Sequence, residues 1–425
     1  MTDAALSDIR ILDLAGEMGV YATKLLADLG ADVIRIEPPA GDPLRAVGPF
    51  FGDIAAGDRS LSFFNLNTNK RSLTLDIASP EARPLFEKLA ATADIVVETF
   101  PPGYLDALGL GYAGLCALRP DIILTSVTGF GQDGPHAGWK AYDITGVAMS
   151  GMMTLAGERE DPPNRPYGNQ GYIGAGIQAA AGTMMALVHR DNTGTGQHVD
   201  VSMQEALSIN QETAMQTWDM TKTVRQRTGG RPLPVDIPGI GVYEASDGHI
   251  FAYLGTPGGA PWPVALEWMV SEGKAEDLVD EPNKGLIEML HLRFLTQLTS
   301  EPEKLPERLK ILAHIHEVFG RFCASMSKWK LYEEGQKRRL MVGIVSTPED
   351  LAKNPQLAYR KWFQEVPHDH LSSTVTYAGP PYRLSETPWS IARRPPLPGE
   401  HNAEIFKELA IPEPEIARLR GLGVV

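Results

Sequence analysis

The sequence predicts an α/β protein whose first part is a doubly wound parallel sheet. Over the first 130 residues, short apolar runs alternate with segments of helical periodicity, which is the pattern of repeated β-α-β units. Apolar runs at 11–14, 32–37, 94–97 and 121–125 predict buried strands, because strands covered on both faces lack a polar alternation. The segment HVDVSM, after the turn at 193–196, predicts one more strand.

Apolar faces and end signals mark the predicted helices. The first has a face at the spacing i, i+3, i+4 and i+7, formed by Ala22, Leu25, Leu26 and Leu29. Gly30 follows and ends this helix. Ser79 before Pro80 predicts the start of another helix. Glycines and alanines over 171–189 predict a helix that packs closely against its neighbours.

The pattern changes after about residue 225, which indicates a second folding unit. The segment RTGGRPLP has the composition of a linker, and IGVYEASDGHIFAYLG predicts an antiparallel hairpin that turns at 246–248. A helical stretch is predicted over about 280–340. Thr347 begins a further capped helix, and 412–422 predicts a final amphipathic one.

Composition limits the classes of partner. Apolar residues make up 43% and charged residues 22% of the 425, which excludes a disordered, collagen-like or coiled-coil chain. Lys and Arg number 39 against 53 Asp and Glu, so the net charge is −14. No basic run stands out to bind phosphates, which argues against nucleic acid or an anionic membrane. Small molecules or another protein are the expected partners.

Cysteine usage and the N-terminus indicate a reducing compartment. Cys116 and Cys323 are too few for a disulfide framework and are expected to be buried. The N-terminal segment MTDAALSDIRILDL has no basic region followed by an apolar one, so no secretory signal is expected. The apolar stretch 171–188 contains Gln178 and is too rich in glycine and alanine for a convincing membrane span. We expect a cytoplasmic location.

Two common site patterns fit poorly. Gly16 and Gly19 follow the first strand and Glu37 ends the second, as in a dinucleotide site, but the order G-x-G-x-x-G is missing. A plain strand-to-helix turn is therefore the favoured interpretation. Ser150 lacks the G-x-S-x-G context of a hydrolase nucleophile.

No metal site is predicted. His314 and His316 are two residues apart, so they point to different faces of a helix, and no Glu or Cys at ligand spacing joins them. His368 and His370 flank Asp369 in a polar stretch, which favours a solvated surface loop.

As a whole, the chain resembles the class III CoA-transferases, the CaiB/BaiF family. The segments that carry the resemblance occur in the family's order from one end to the other, and only about 215–340 matches weakly. They are ILDL, LLADLGADVIRIEPPAGDPLR, NLNTNKRSLTLDIASPEA, ADIVVETFPPGYLDALGLGY, RPDIILTSVTGFGQDGP, YDITGVAMSG, TGTGQHVDVSMQEAL, IVSTPEDLAKNPQLAYRKWF and GEHNAEIF.

The resemblance implies an architecture. Family members form interlocked, ring-like dimers in which each chain threads through the other, with a Rossmann-like large domain built from both chain ends. By likeness, residues 1–215 and 341–425 would form the large domain here. Residues 216–340 would form the linker and a small α+β domain.

The resemblance also implies a missing nucleophile. In the family, an aspartate carboxylate attacks an acyl-CoA thioester, and an enzyme-CoA thioester follows. The glycines and the segment TGTGQ place Tyr172 at that position, inside GNQGYIGAG, which contains no acid. Tyr142 stands where the racemase branch has a histidine. The chain alone is expected to be inactive, with no catalytic residue of its own.

Contacts to CoA are expected to be vestigial. Relatives often carry ENFRPG where this chain has ETFPPG, which loses an amide and a guanidinium. The positions that could still contact CoA are Asn69, Lys70, Phe100 and Lys140. A glycine loop with Gly255, Gly258 and Gly259 lies where relatives carry a mobile loop over the intermediate, and an ordinary turn is the open alternative.

In one branch of the family, the enzyme consists of two paralogous subunits, of which only one carries the aspartate. This enzyme moves CoA from succinyl-CoA to benzylsuccinate in anaerobic toluene degradation. This sequence resembles the aspartate-lacking subunit. The resemblance implies an aspartate-bearing paralogous partner in a heterodimer, acyl-CoA and dicarboxylate substrates, and no covalently bound cofactor. Two alternatives stay open: a stand-alone acyl-CoA isomerase or lyase that uses another residue, and a non-enzymatic acyl-CoA-binding homodimer.

Overall fold

The fold was obtained as a computed structural model that describes residues 4–230, 236–255, 259–291 and 301–425. The described chain forms two compact units. Unit 1 comprises Met1–Met153, Arg165–Asp219 and Ala358–Val425, and unit 2 comprises Thr154–Asn164 and Met220–Leu357.

These bounds resemble the predicted division and differ from it in detail. The large unit uses both ends of the chain. The chain returns to it at Ala358, whereas the sequence division placed the return at 341. The short segment Thr154–Asn164 also belongs to unit 2.

Unit 1 is built on a six-stranded, all-parallel sheet with the order β3-β2-β1-β4-β5-β6. This is the strand order of doubly wound dinucleotide-binding folds, so the predicted doubly wound parallel sheet of an α/β protein is confirmed. The strands are β1 (Arg10–Leu14), β2 (Asp32–Glu37), β3 (Arg71–Thr74), β4 (Ile95–Glu98), β5 (Ile123–Thr128) and β6 (His198–Ser202).

Helices cover both faces of this sheet. The helices of the first 221 residues are, in chain order, α1 (Val20–Asp28), α2 (Leu61–Leu66), α3 (Arg83–Ala90), α4 (Tyr104–Ala107), α5 (Tyr112–Leu118), α6 (Asp143–Met149), α7 (Met152–Leu155), α8 (Gln170–Thr193), α9 (Met203–Ser208) and α10 (Ala214–Thr221). The predicted end signals are present: Gly30 has a φ of +101°, and the Ser79 side chain accepts a hydrogen bond from the Glu81 amide.

Alternate residues of the central strands enter two separate cores. Leu12 and Val96 pack on one face with Phe86 of α3, whereas Ile11 and Ile95 pack on the other face with side chains of α1 and α8. Because both faces are buried, the strands read as continuous apolar runs.

Helix α8 is, among the described residues, the one helix long and apolar enough to cross a membrane by length and composition. It packs against α1, β5 and β6 within unit 1. Close approach explains its small residues, since a Cβ on Gly176 would lie 2.9 Å from the Tyr21 Cβ. These contacts are those of a core helix.

Unit 2 combines a three-stranded antiparallel sheet with helices. The sheet contains β7 (Ile240–Ala245), β8 (Gly248–Tyr253) and β9 (Val342–Ile344), which confirms the predicted hairpin. The helices are α11 (Trp262–Ser271), α12 (Asn283–Met289), α13 (Leu305–Ala324), α14 (Lys328–Lys337), α15 (Pro348–Ala352) and α16 (Pro355–Tyr359). Trp262 and Phe322 are buried in its core together with Cys323.

The returning chain completes unit 1 with an antiparallel hairpin, β10 (Gln364–His368) and β11 (Ser373–Tyr377), and two helices, α17 (Asn402–Glu408) and α18 (Glu413–Gly421). The solvated loop predicted around His368 and His370 is wrong. His368 is fully buried, and its Nε2 lies 2.9 Å from the Tyr377 hydroxyl. The ring also lies 4.6 Å from that of Phe64, so the hairpin folds it inward.

Candidate functional site

The carboxyl ends of β1, β2 and β4 enclose a crevice of about 320 Å³, at the position where the chain reverses its direction of winding. Doubly wound folds bind their ligands at this switch point. Gly16, Thr99 and Phe100 line the crevice, and the Gly16 amide donates a 2.7 Å hydrogen bond to the Thr99 hydroxyl. Phe100 stacks on Tyr104 at 4.6 Å. The structure therefore brings the predicted CoA contact Phe100 into this crevice.

The charge of the crevice is acidic. Within the described part of the chain, its lining includes the carboxyl groups of Glu17, Asp42 and Asp76 and one cation, Arg35. The Arg35 guanidinium is already held by Asp13, at 2.8 Å, and by Asp42. Among the described residues, no unpaired cation lines this crevice to receive the phosphates of a nucleotide.

Lys70, a predicted CoA contact, belongs instead to the buried core. Its Nζ is completely buried and donates to Asp13 at 2.8 Å, to Thr23 at 2.9 Å and to Asn67 at 3.0 Å. Burial lowers the pKa of Lys70 to about 8 despite the facing carboxylate of Asp13. A fully paired ammonium inside the protein is closed to a ligand.

Asn69 and Lys140, the other two predicted CoA contacts, line neither this crevice nor the cavity beside it. The Asn69 amide donates to Asp28 at 2.7 Å, and its oxygen accepts from the Ala392 amide at 2.7 Å. It thus joins the start of β3 to the returning chain. Lys140 is exposed in the segment before α6.

A second cavity, of about 210 Å³, lies at the N-terminal end of α8 and is lined by Tyr172. Burial raises the pKa of Tyr172 above its ordinary value of 10, and the negative charges of Glu17 and Asp143 act in the same direction. The side chain is therefore a neutral phenol at pH 7. A neutral phenol cannot act as the carboxylate nucleophile of an acyl transfer.

Asp143 supports this end of α8. It is 6% exposed, and its Oδ1 accepts a 3.0 Å hydrogen bond from the Tyr172 amide. A helix leaves its first N–H groups without internal partners, so a carboxylate there stabilises the start of the helix. Asp143 therefore positions the Tyr172 backbone.

The sequence analysis missed Glu17 as a site residue. Its side chain lines both the crevice and the Tyr172 cavity, and its Oε2 lies 3.4 Å from the Asn169 side-chain amide. Burial raises the pKa of Glu17, and the nearby charge of Asp42 raises it further. A carboxyl group directly after the first strand of a parallel sheet was the available signal, because that position lies at the ligand-binding edge.

Glu98, at the end of β4, should make stability depend on pH. Burial raises the pKa of Glu98 from 4.5 to about 7. Between these two pH values, the carboxyl group is therefore protonated in the folded state and ionised in the unfolded state. Its stabilising contribution is complete below about pH 4.5 and is lost as the pH rises through 7. We expect Glu98→Gln to remove about 2 kcal/mol of this pH dependence, measured by urea unfolding at pH 5 and 8. An unchanged difference between the two pH values would contradict the assignment.

The remaining candidate patterns are explained by local structure. Glu37 receives two hydrogen bonds of 2.7 Å from Arg45 and one from Ser72, so its carboxylate is not free for a ribose. His314 lies 2.7 Å from Asp277, and His316 lies 3.0 Å from the Tyr243 hydroxyl. Within the described ranges, no group of three or more His, Cys, Asp or Glu side chains could hold a metal ion.

The predicted glycine loop is described in part. Gly255 has a φ of +70°, and a Cβ there would lie 2.5 Å from the Leu290 carbonyl oxygen. Gly259 packs near Met341, whereas Gly258 lies outside the described residues. The left-handed backbone explains why a glycine occupies position 255.

These features define a doubly wound α/β protein with a switch-point crevice next to the start of a small-residue helix. A family model described as CoA-transferase family III matches residues 6–402. The chain belongs to this family, the class III or CaiB/BaiF CoA-transferases, whose members act on CoA thioesters.

Individual relatives match over nearly the whole chain. The subunit BbsE of succinyl-CoA:(R)-benzylsuccinate CoA-transferase from Thauera aromatica is 37% identical, over 99% of this chain and 98% of the relative. Formyl-CoA:oxalate CoA-transferase from Streptomyces avermitilis is 32% identical, over 99% of both chains. The crystal structure of a CaiB/BaiF family protein from Brucella suis covers 96% of this chain and 100% of its own, with a TM-score of 0.80 and 28% identity.

Proposed function

We propose that this chain is a non-catalytic subunit of a heteromeric class III CoA-transferase. The complex would move CoA from succinyl-CoA to an aryl-substituted succinate such as benzylsuccinate. A paralogous partner would supply the nucleophilic aspartate. The proposal is supported by the 37% identity to a subunit of a benzylsuccinate CoA-transferase.

The observation that carries the proposal is the phenol of Tyr172 at the start of α8. The cavity there contains a neutral side chain where the family resemblance implies an aspartate. Covalent acyl transfer through an anhydride needs an ionised carboxylate at this point. The scaffold of the family is retained, whereas its nucleophile is replaced.

The charges of the crevice support the proposal that this chain binds CoA only weakly. CoA carries several phosphate charges, and charge-assisted hydrogen bonds from Arg or Lys are the usual way to hold them. Here three carboxyl groups face the crevice, and its one cation is already paired. We therefore assign the productive CoA site to the partner. This chain contributes the second ring of an interlocked dimer and its glycine loop.

The test is co-expression with an aspartate-bearing paralogue. We expect a mixed complex that transfers CoA from succinyl-CoA to benzylsuccinate, measured by chromatography of the CoA esters. Each chain alone should not transfer CoA at a comparable rate. Transfer by this chain alone at the rate of the complex would overturn the proposal. If the chain forms a homodimer that does not bind the paralogue and has no CoA-transferase activity, the result would support the acyl-CoA-binding homodimer instead.

Glu17 favours a second candidate function, a stand-alone acyl-CoA isomerase or lyase. It is a carboxyl group that faces both cavities, and a carboxyl group within reach of a substrate can serve as a general acid or base. The purified chain should then convert at least one ester in a panel of acyl-CoA substrates. Glu17→Gln should abolish that turnover, and the exposed control Glu160→Gln should leave it unchanged. No turnover with any ester would remove this candidate.

A further inference from the structure

A separate hollow lies in the returning part of unit 1, remote in sequence from both cavities described above. Residues 360–364, before and at the start of β10, and residues 380–389, after β11, enclose about 280 Å³. We call this space the C-terminal hollow. It shares no lining residue with the switch-point crevice or with the Tyr172 cavity.

The charge of the C-terminal hollow is opposite to that of the chain. Three cations line it, Arg360, Lys361 and Arg383, and the described residues of its lining include no carboxyl group. Within the part of the chain that the structure describes, none of the three takes part in an ion pair. In a protein with a net charge of −14, three uncompensated cations around one space create a local attraction for anions.

Aromatic rings form the other part of the lining. Trp362, Tyr382 and Trp389 face the hollow, and Trp362 is fixed by a 3.1 Å hydrogen bond from its indole N–H to the Pro380 carbonyl. Trp389 is held from another side by Lys24, whose Nζ lies 5.6 Å from the ring centroid. Rings held in this way offer flat apolar faces on which a planar group can stack.

We propose that the C-terminal hollow binds a small anion that joins one planar ring to two or more negative charges. The cations would hold the charged end, and the tryptophans would hold the ring. Its volume lies near the lower limit of about 300 Å³ for small-molecule sites, which suits a single-ring compound or a mononucleotide and not a whole CoA. The inference does not depend on the proposed transferase function, since none of the hollow's residues lines the Tyr172 cavity.

Two ligand sources share this chemistry, an aryl dicarboxylate and a purine mononucleotide. The full-length protein is therefore titrated separately with benzylsuccinate and with adenosine 5′-monophosphate, using tryptophan fluorescence and calorimetry. Succinate supplies the charges without a ring, and benzyl alcohol supplies the ring without a charge. The double variant Lys361→Gln with Arg383→Gln removes two cations of the hollow. The control Lys88→Gln with Arg420→Gln removes two exposed cations elsewhere on unit 1.

We expect saturable binding of at least one of the two ring-bearing anions and at least tenfold weaker binding of succinate and of benzyl alcohol. The hollow variant should lose at least tenfold in affinity and the control variant less than twofold, and added salt should weaken binding. The anion that binds, benzylsuccinate or adenosine 5′-monophosphate, identifies the class of ligand. The proposal is overturned if neither benzylsuccinate nor adenosine 5′-monophosphate binds, or if succinate binds as tightly as these two anions. It is also overturned if the hollow variant and the control variant lose affinity equally.

Discussion

Tyr172→Phe should leave CoA transfer by the proposed mixed complex within about twofold of the unsubstituted complex, whereas replacing the nucleophilic aspartate of the proposed partner by asparagine should lower kcat at least a thousandfold. The reason is chemical. A phenol whose pKa is raised above 10 stays protonated and forms no anhydride, so losing its hydroxyl removes no reacting group. The measurement is steady-state CoA transfer from succinyl-CoA.

The same pair of variants shows where the covalent intermediate forms. Intact-mass spectrometry of the complex incubated with succinyl-CoA should detect a CoA adduct on the partner and none on this chain. A thousandfold loss on Tyr172→Phe, or a CoA adduct on this chain, would contradict the assignment of Tyr172 as a non-catalytic residue. Tyr167→Phe is a matched control because Tyr167 is 98% exposed.

Asp13→Asn should lower the free energy of unfolding by about 3–5 kcal/mol, because it leaves two buried cations without their shared anion. The Asp13 carboxylate is fully buried and accepts from Lys70 and Arg35, each at 2.8 Å. Burial alone would raise the pKa of Asp13, but the two cations hold it below 3.8. Its contribution is therefore present above about pH 4 and is lost at lower pH, as the carboxylate is protonated.

Urea unfolding at pH 7 and fixed protein concentration measures this loss. The double variant Asp13→Asn with Lys70→Met should be more stable than Asp13→Asn alone, because it removes one uncompensated charge. Asp191→Asn serves as the control, since its carboxylate is 61% exposed and its ion pair with Arg190 contributes less than about 1 kcal/mol. A loss below 1 kcal/mol for Asp13→Asn would contradict the proposed role of the buried charges.

Five of the six strands of the parallel sheet could be predicted from the sequence because their signals are local, whereas β3 was not among the predicted strands. Each central strand is an apolar run covered on both faces, and the turn after α1 ends at Gly30, which has a left-handed backbone. The capped helix at Pro348 was equally local, since Thr347 and Asp350 form its capping box within four residues. Elements defined by neighbours in sequence were placed correctly to within a few residues.

The side chains that depend on distant partners could not be placed in this way. Lys70 reads as an ordinary surface lysine, and its burial follows from Asp13, 57 residues away. His368 reads as solvated, and it is buried because β10 and β11 fold it against Phe64. Glu17 meets Asn169 across 152 positions. The contacts of these three side chains therefore depend on partners that lie outside any local sequence window.

Unit 1 is assembled from the first and the last parts of the chain. The Asp76 amide donates to the Val424 carbonyl at 2.9 Å, the Arg71 guanidinium pairs with Glu404 and Glu408 of α17, and His401 bonds to Ser72. These contacts of β3 can therefore form only after nearly the whole chain has been synthesised. A nascent chain that stops short of α17 exposes that edge of the sheet, so premature termination here should yield a target for chaperones and proteases and not a smaller folded protein.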